Sequence, residues 1–558
     1  MFGYNLNVSN IIKKYSIFIS KILYKEIDFT FLENYTKTYN ESMKAVFESI
    51  GAKKEESIEF ITRSCSADIK EKLSNPSNNE KVQRLLGEIN KKRKPPIKVI
   101  IEKYFDILQI IFPIWIMTPD VVSAIIPLKE NLFDKVIFDE ASQLFIEKAI
   151  PAISRSKSVV ICGDSKQLRP TLFFESRYDE TEEEVSVDIE QESALTENSL
   201  LDYATTSNKY VASMLRYHYR CYYKELINFS NYVFYDGNLI FVANVKGKES
   251  FPLETINVDG KWDGEKNIIE ANKVVSLVKD LLLNRKEHET IGIVTLNVNQ
   301  RDLIQDLFEE EANKDKKFSS LFYKERERKN EVTTEDESLF VKNLENVQGD
   351  ERDIIIFSIS YSKNEKGKIG SSLGEIQRIY GENRLNVAIS RAKKKIYIVK
   401  SFMGDELNVN ETNKGPLYFK KYLQYADSLN INDQDASKKI LLSFVDDKKE
   451  IKEEIFNYHK EIYDLLFSKI DSSIYEIRKN VEIGSIAIDL AIYKKDDNRC
   501  VLALDCEGTN YYNDDIEVSN AIYRDYYLKN RGWNIEKIWL SDWLLSKNEE
   551  IDKIISRL

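Results

Sequence analysis

Short apolar runs that end abruptly in acidic or small polar residues punctuate this chain. Val136-Ile137-Phe138 runs into Asp139-Glu140-Ala141-Ser142-Gln143, and Ser158-Val159-Val160-Ile161-Cys162 runs into Gly163-Asp164-Ser165-Lys166-Gln167-Leu168-Arg169-Pro170. Runs of this length predict buried parallel strands, which deliver polar side chains to the carboxyl edge of an α/β sheet, where ligands bind. Further strands are predicted near 291–295, 353–359 and 395–400. Upstream of them, Ile11, Ile12, Tyr15, Phe18, Ile19 and Ile22 recur at helical spacing, and residues 1–110 read as mostly helical. Ser74 to Asn79 is a break in that pattern, and Asn90 to Pro96 is a basic turn. The acidic stretch Asp179 to Glu192 predicts a mobile surface loop, Glu309 to Glu337 a charged insertion, and the Asn- and Asp-rich residues 406–445 a linker.

Composition narrows the class. A chain of 558 residues with 42% hydrophobic and 31% charged content suits a globular protein of several domains. The net charge of −11 carries no sign of a nucleic-acid binder, although a binding groove needs only a local basic lining. The five cysteines, Cys65, Cys162, Cys221, Cys500 and Cys506, form no CxxC pair, which argues against a zinc site or a disulfide framework. Three histidines exclude a His-rich metal centre. Lysines and acids interrupt the apolar stretches of the first thirty residues, which fit neither a signal peptide nor a membrane span, so a cytoplasmic location is expected.

The two acid-ended strands resemble motifs II and III of superfamily 1 helicases, in the branch that includes the RNA-surveillance helicases. Downstream, Leu215 to Arg220 with Leu226 to Asn231 and Phe234 to Gly237 resembles motif IV, and Ile291 to Thr295 with Gln300 the strand and helix start after it. Glu345 to Asp353 resembles motif V, and Leu385 to Lys393 motif VI. The series keeps family order over residues 95–405. The resemblance implies ATP and Mg²⁺ as cofactors and assigns roles residue by residue. Asp139 would hold the magnesium, directly or through water, and Glu140 would polarise the hydrolytic water. Gln167 would sense the γ-phosphate. Arg220 and Arg391 would be arginine fingers, a task suited to a permanently charged planar fork. Glu351 would contact the ribose, and Gln348 and Gly349 would let the backbone pass close to nucleotide and nucleic acid. The family's phosphate-cradling Gly-x-x-x-x-Gly-Lys-Ser/Thr loop does not occur. The Gly-Lys pairs at Gly247, Gly260 and Gly367 are followed by Glu249, Trp262 and Ile369, which lack the magnesium-binding hydroxyl. The chain is therefore expected to be the C-terminal portion of a larger helicase, a split-gene product or a diverged member, with the loop supplied by an upstream segment or protein partner.

Toward the C-terminus, a helical stretch from Lys449 to Lys469 is predicted to precede two strands, Ile486 to Tyr493 and Cys500 to Gly508, joined by a polar turn. Period-two alternation puts Asp505 and Glu507 on one face of the second strand, and a hairpin can bring Asp489 beside them. Three clustered carboxylates make a hard oxygen site for Mg²⁺ or Mn²⁺, able to activate water against a phosphodiester. The segment resembles the very-short-patch-repair-like branch of the PD-(D/E)XK nucleases, with Tyr511, Arg524-Asp525, Gly532-Trp533 and Trp539 to Trp543 matching the rest of the pattern. It departs in having no evident lysine base and in carrying Tyr512 where that branch has histidine.

The expected fold class is multidomain α/β. It comprises an N-terminal helical region (1–110), a partial first RecA-like unit of the P-loop-NTPase type (111–210), a second such unit (211–405), a linker (406–445) and a C-terminal restriction-endonuclease-like α/β domain (446–558). The expected function is a nucleic-acid-dependent ATPase and helicase coupled to a metal-dependent DNA endonuclease, in DNA repair or defence against foreign DNA. Its expected partner is single-stranded or junction DNA, with RNA as the alternative. The rival expectation is a nuclease or nucleic-acid-binding subunit on a helicase-derived scaffold without its own ATP turnover.

Overall fold

The computed structural model describes residues 30–170, 199–245, 251–285, 288–363, 369, 373–444, 457–484, 486–496, 499–507, 524–539, 542–543 and 546–558. The helical pattern at Ile11 to Ile22, the acidic stretch Asp179 to Glu192, and Tyr511 and Tyr512 lie outside the described residues. The chain divides into two compact units. The larger comprises residues 62–243 and 249–450, and the smaller residues 1–61, 244–248 and 451–558. No helix among the described residues is long and apolar enough to cross a membrane.

The N-terminal helical expectation holds for α1 (Thr30–Ser74), α2 (Pro76–Ile89) and α3 (Ile97–Ile111). The predicted break is the junction where Asn75 caps α2 by accepting from Ser77 N, with Pro76 at the first helical position. After the short helix α4 (Pro119–Ile125), the chain enters β1 (Phe133–Phe138), crosses through α5 (Ile146–Ile153) and returns as β2 (Ser156–Ile161), parallel to β1. Helix α6 is Leu200–Thr206. Alternation decides which face is covered. Phe138 is buried with Ala149, Ala152 and Leu200, and Val136, Val159 and Ile161 pack against them. On the other face Ile137 is 66% exposed and Val160 41%. Parallel sheets are ordinarily covered on both faces, so this face lacks its usual cover among the described residues.

The second sheet of the larger unit is complete. A two-stranded pair, β3 (Tyr217–His218) and β4 (Ile240–Phe241), flanks α7 (Lys224–Phe234). Then come β5 (Leu253–Asn257), α8 (Ile268–Asn284), β6 (Ile291–Thr295), α9 (Val298–Lys314), α10 (Lys316–Arg326), β7 (Phe340–Asn343), β8 (Arg352–Ser358), α11 (Gly381–Ile389) and β9 (Ala392–Lys400). The five strands are all parallel, in the order β5-β9-β8-β6-β7. Alternate residues feed two cores: Ile355, Phe357, Ile396 and Ile398 face α7 and α11, while Ile291, Ile293, Ile354 and Ile356 face α8, α9 and α10. Covering both faces explains why these strands read as near-continuous apolar runs.

Two expectations are corrected. The charged stretch Glu309 to Glu337 is no simple insertion: it contains the end of α9 and all of α10, whose Phe318 and Phe322 stack with Phe308 inside the core. Residues 406–445 are no linker either. They form α12 (Lys414–Asn430) and α13 (Gln434–Leu442), and Phe419, Leu423, Tyr425, Ala426 and Leu441 are buried in the core beneath the sheet. Both stretches pair a charged outer face with an apolar stripe, and averaged composition conceals the stripe.

The smaller unit carries α14 (Asn457–Lys469), β10 (Tyr475–Ile483), β11 (Ile486–Lys494), β12 (Arg499–Glu507), β13 (Ile535–Trp539) and α15 (Lys547–Ile555), its sheet ordered β10-β11-β12-β13. The predicted hairpin is present as β11 and β12, antiparallel with Leu490 opposite Leu504; β13 joins parallel to β12. The unpredicted β10 is an edge strand studded with Glu476, Arg478, Lys479 and Glu482, charges that suit an edge and mask its strand pattern.

The burial of α12 yields a stability prediction. Leu423→Ala is expected to destabilise the larger unit by about 2–5 kcal/mol, read as a lower denaturation midpoint. A change within about 0.5 kcal/mol, the size expected for a solvated connector, would contradict the core assignment.

Candidate functional site

In the larger unit, the loops at the carboxyl ends of β1 and β2 meet segments of the five-stranded body. The β1 end turns sharply: Glu140 sits at φ 52°, ψ 40°, a left-handed conformation unusual for glutamate and typical of constrained functional positions. Cys162 O accepts from Ala141 N at 2.9 Å, tying this turn to the end of β2. Gly163 makes that approach feasible, because a Cβ there would lie 3.1 Å from Ala141 N and Ser142 N. Asp139 is exposed at the strand end, its Oδ1 accepting from Glu140 N at 3.0 Å.

The sequence-predicted residues meet one another here. Gln348 Nε2 donates to Glu140 Oε2 at 2.9 Å, and Gln348 Oε1 is buried with no hydrogen-bond partner. The adjacent Gly349 holds φ +86°, which gives the chain its turn before β8. Arg220 Nε donates to Glu351 Oε2 at 2.7 Å and Arg220 Nη1 to Ser390 O at 3.3 Å, while Lys393 Nζ pairs with Glu351 Oε1 at 2.7 Å. Partial burial opposes ionisation of Glu351, but the hydrogen bonds from Arg220 and Lys393 outweigh it and bring its carboxyl down to about 2. Arg391 is 3% exposed and donates from Nε to Val387 O at 2.7 Å. Burial, then the charge of Arg220, pushes its guanidinium down to about 10, with Glu140 and Tyr235 acting in the opposite sense. Glu140, Gln348, Arg220, Glu351 and Arg391 thus form one electrostatic neighbourhood.

A hydrogen-bond relay holds the loop after β2 in place. Gln167 Nε2 donates to Asp164 Oδ2 at 3.0 Å, and that oxygen also accepts from Tyr235 Oη at 2.6 Å. Asn386 Nδ2 donates to Tyr235 Oη at 3.0 Å and to Lys166 O at 2.8 Å; Asn383 Nδ2 donates to Gln167 O at 2.8 Å. Burial, and secondarily Asp164, keeps the Tyr235 phenol protonated far above its usual range. The sequence reading assigned no role to Asp164, Asn383 or Asn386. For Asp164 and Asn386 the signal was present, since each lies inside a motif already singled out, whereas Asn383 lies just before one.

The smaller unit holds the other predicted cluster. Asp489 lies beside Asp505 across the hairpin, and its Oδ2 accepts from Cys506 N at 2.7 Å. Burial raises the Asp489 carboxyl, and Asp505 adds to the effect. Asp505 is gripped by Arg524 in a two-pronged pair, Nη1 to Oδ2 at 2.8 Å and Nη2 to Oδ1 at 3.0 Å. Asp505 is therefore charge-compensated by an arginine, where an open metal ligand was expected. The side chain of Glu507 lies outside the described residues. His459, on α14, was not anticipated; its Nδ1 stands 3.7 Å from Asp489 Oδ1. Asp489, His459 and Cys506 bring their ligand atoms within 4.8 Å of one another, a group that could hold a metal ion and that does not include Asp505.

Comparison with known proteins agrees with this layout. A family model described as AAA domain matches residues 5–175, and a second with the same description matches residues 196–402. The REase_MTES_1575 model matches residues 460–558. An uncharacterized ATP-dependent helicase, MG140, of Mycoplasma genitalium is 34% identical over 85% of this chain and 41% of its own length. The Mycoplasma pneumoniae homolog of MG140 is 32% identical over 94% of this chain and 46% of its own length. The chain thus spans under half the length of these relatives. Among solved structures, the C-terminal domain of a possible DNA helicase from Lactobacillus plantarum aligns over 33% of this chain and 87% of its own at 14% identity, with a TM-score of 0.18.

The Glu351 pair gives a pH-dependent prediction. Its folded carboxyl titrates at about 2 against an ordinary 4.5, so its contribution to stability is present above 4.5 and is lost as pH falls toward 2. Glu351→Gln is expected to lower the thermal midpoint at neutral pH, and its difference from the parent protein should close as the pH drops through that window. A constant difference down to acid pH would contradict the pairing. The chain is thus similar to AAA-domain models over most of its first 402 residues and to the REase_MTES_1575 model over its last 99.

Proposed function

We propose that the larger unit is the C-terminal part of a superfamily 1 helicase motor driven by ATP and Mg²⁺, and that the smaller unit is a metal-dependent DNA endonuclease coupled to it. The observation that carries the motor reading is the convergence of Glu140, Gln348, Arg220, Glu351 and Arg391 between the β1 and β2 loops and the five-stranded body. Two buried or half-buried arginines beside an acidic strand end suit a triphosphate whose charge they would neutralise. Asp139 would hold the magnesium, Glu140 would orient water, and Gln167 would read the γ-phosphate. Arg220, paired with Glu351 in this structure, would exchange that partner for phosphate oxygens.

The phosphate-cradling loop is assigned to an upstream segment or protein partner. The exposed Ile137 and Val160 support this reading, because among the described residues one face of the β1–β2 pair is uncovered. The nuclease reading rests on Asp489 and Asp505 facing each other across the hairpin, with Glu507 next in line on the same strand. A divalent ion there would activate water against a phosphodiester. A cytoplasmic role in DNA repair or in defence against foreign DNA follows from pairing a motor with a nuclease. The rival reading, a scaffold that binds nucleic acid without turning over ATP, is favoured by the missing loop.

Three outcomes test the proposal. The isolated chain should hydrolyse ATP very weakly and gain DNA-stimulated turnover when a segment carrying the loop is added. In that completed enzyme Arg220→Ala and Arg391→Ala should each cut turnover by about 10³-fold or more, with DNA binding retained. Full turnover in both variants would remove the arginine-finger roles. DNA cleavage should require Mg²⁺ or Mn²⁺ and should vanish in Asp505→Ala with ATP turnover unchanged. A full chain that cuts no form of DNA with either metal would leave the binding-scaffold reading.

A further inference from the structure

The smaller unit gathers three side chains whose chemistry differs from that of the carboxylate pair. His459, Asp489 and Cys506 each bring one ligand atom to within 4.8 Å of the other two. Each comes from a different element: His459 from α14, Asp489 from β11 and Cys506 from β12.

Packing explains why they converge. His459, Ile462 and Leu466 recur at i, i+3 and i+7 on α14, which is one stripe of a helix. Ile462 and Leu466 are fully buried in the same core as Leu490, Leu504 and Cys506. The stripe therefore carries the imidazole toward the same two strands, one turn before Ile462. Asp489 precedes Leu490, and Cys506 lies two residues after Leu504, so both stand where the hairpin pairing of Leu490 with Leu504 ends. The bond from Cys506 N to Asp489 Oδ2, 2.7 Å, holds the carboxylate beside the thiol. The other oxygen, Oδ1, stands 3.7 Å from His459 Nδ1. That separation is too long for a hydrogen bond. It matches two ligands on one ion, because tetrahedral ligands about 2.0–2.3 Å from zinc stand about 3.3–3.8 Å apart.

Donor chemistry selects the ion. An imidazole nitrogen, a thiolate sulfur and a carboxylate oxygen suit zinc and borderline neighbours such as cobalt(II), whereas Mg²⁺ and Ca²⁺ take oxygen ligands. Charge agrees with this choice. One carboxylate and one thiolate balance a dication, so the filled site is neutral, as suits a sulfur in a residue only 6% exposed. Asp505 stays outside the set, because Arg524 engages both of its oxygens. Three protein ligands leave a fourth tetrahedral position for water or another small ligand. We infer that His459, Asp489 and Cys506 form a three-ligand site for a transition-metal ion of the zinc class, distinct in chemistry from the magnesium-type carboxylate site. Cysteine spacing pointed away from zinc because ligands drawn from three elements leave no CxxC signature. The site shares Asp489 with the nuclease reading but does not depend on it.

The test is titration of the full chain, stripped of metal by a chelator, with Co²⁺ alone and then in competition with Zn²⁺ and Mg²⁺. Cobalt reports a bound thiolate through a sulfur-to-metal absorption band in the near ultraviolet. Co²⁺ should produce that band, Zn²⁺ should abolish it by displacement, and Mg²⁺ in large excess should not. Cys506→Ser should lose the band, whereas Cys65→Ser and Cys162→Ser, at exposed positions, should keep it. His459→Ala and Asp489→Asn should weaken Co²⁺ binding by about 10- to 100-fold or more, since losing a group that merely orients a ligand already costs that much. Zn²⁺ should raise the thermal midpoint of the parent protein but not that of a folded Cys506→Ser. Circular dichroism separates a lost ligand from a lost fold, and if Cys506→Ser does not fold, the half-buried His459→Ala decides in its place. A parent protein that gives no sulfur-to-cobalt band overturns the site. So does a folded Cys506→Ser or His459→Ala that binds Co²⁺ as tightly as the parent. Displacement of Co²⁺ by Mg²⁺ would mark a hard oxygen site and overturn the thiolate ligand. A chain that binds Co²⁺ through Cys506 and cuts no DNA keeps this site and removes only the nuclease reading.

Discussion

One phenol ties the loop after β2 to the helix beside the larger unit's charged cluster. Tyr235 Oη donates to Asp164 and accepts from Asn386, which links the loop after β2 to the helix whose C-terminal end precedes Arg391. Asn383 and Asn386 extend the link by donating to the carbonyls of Lys166 and Gln167. These groups have left much of their water behind, so each bond is stronger than its solvated counterpart and each broken bond would leave an expensive orphan. A loop with no strand pairing of its own is held in this way against a rigid sheet.

That constraint brings charges of both signs close together. Glu351 neutralises Arg220 and Lys393, and Gln348 occupies Glu140. Arg391 lies deeper, supported by carbonyl and hydroxyl oxygens of its own helix. Partners at a half-exposed site of this kind can be exchanged at low cost. A polyanion entering between the loops would compete for arginines that are already positioned, so little side-chain freedom is lost on binding.

The smaller unit handles the same electrostatic problem differently. Two carboxylates on adjacent strands repel each other, and Arg524 resolves this by clasping Asp505 while Cys506 N steadies Asp489. His459 approaches from α14 and adds a group that can carry a proton close to Asp489. The acid pair is held in a compact form, with the guanidinium on Asp505 and with Asp489 nearer His459.

The sequence by itself determined the most apolar strands and what stands at their ends. Runs such as Ile291 to Thr295 and Ile354 to Phe357 are apolar on both faces and can only be interior strands, and the polar residues that follow them must emerge at one sheet edge. The hairpin of β11 and β12, and with it the Asp489–Asp505 pair, followed from period-two alternation alone. Helices with a charged outer face were not legible, because α10 and α12 hide their buried stripes within an average composition that resembles a loop. Partnerships between residues far apart in the chain were not legible either. Glu351 with Arg220, Asp505 with Arg524 and Asp164 with Tyr235 are fixed by the packing of sheets and helices over distances that no local pattern encodes. The sequence decides which groups reach the edge, and tertiary packing decides which of them meet, because pairing strength depends on distance and burial that only the folded chain sets.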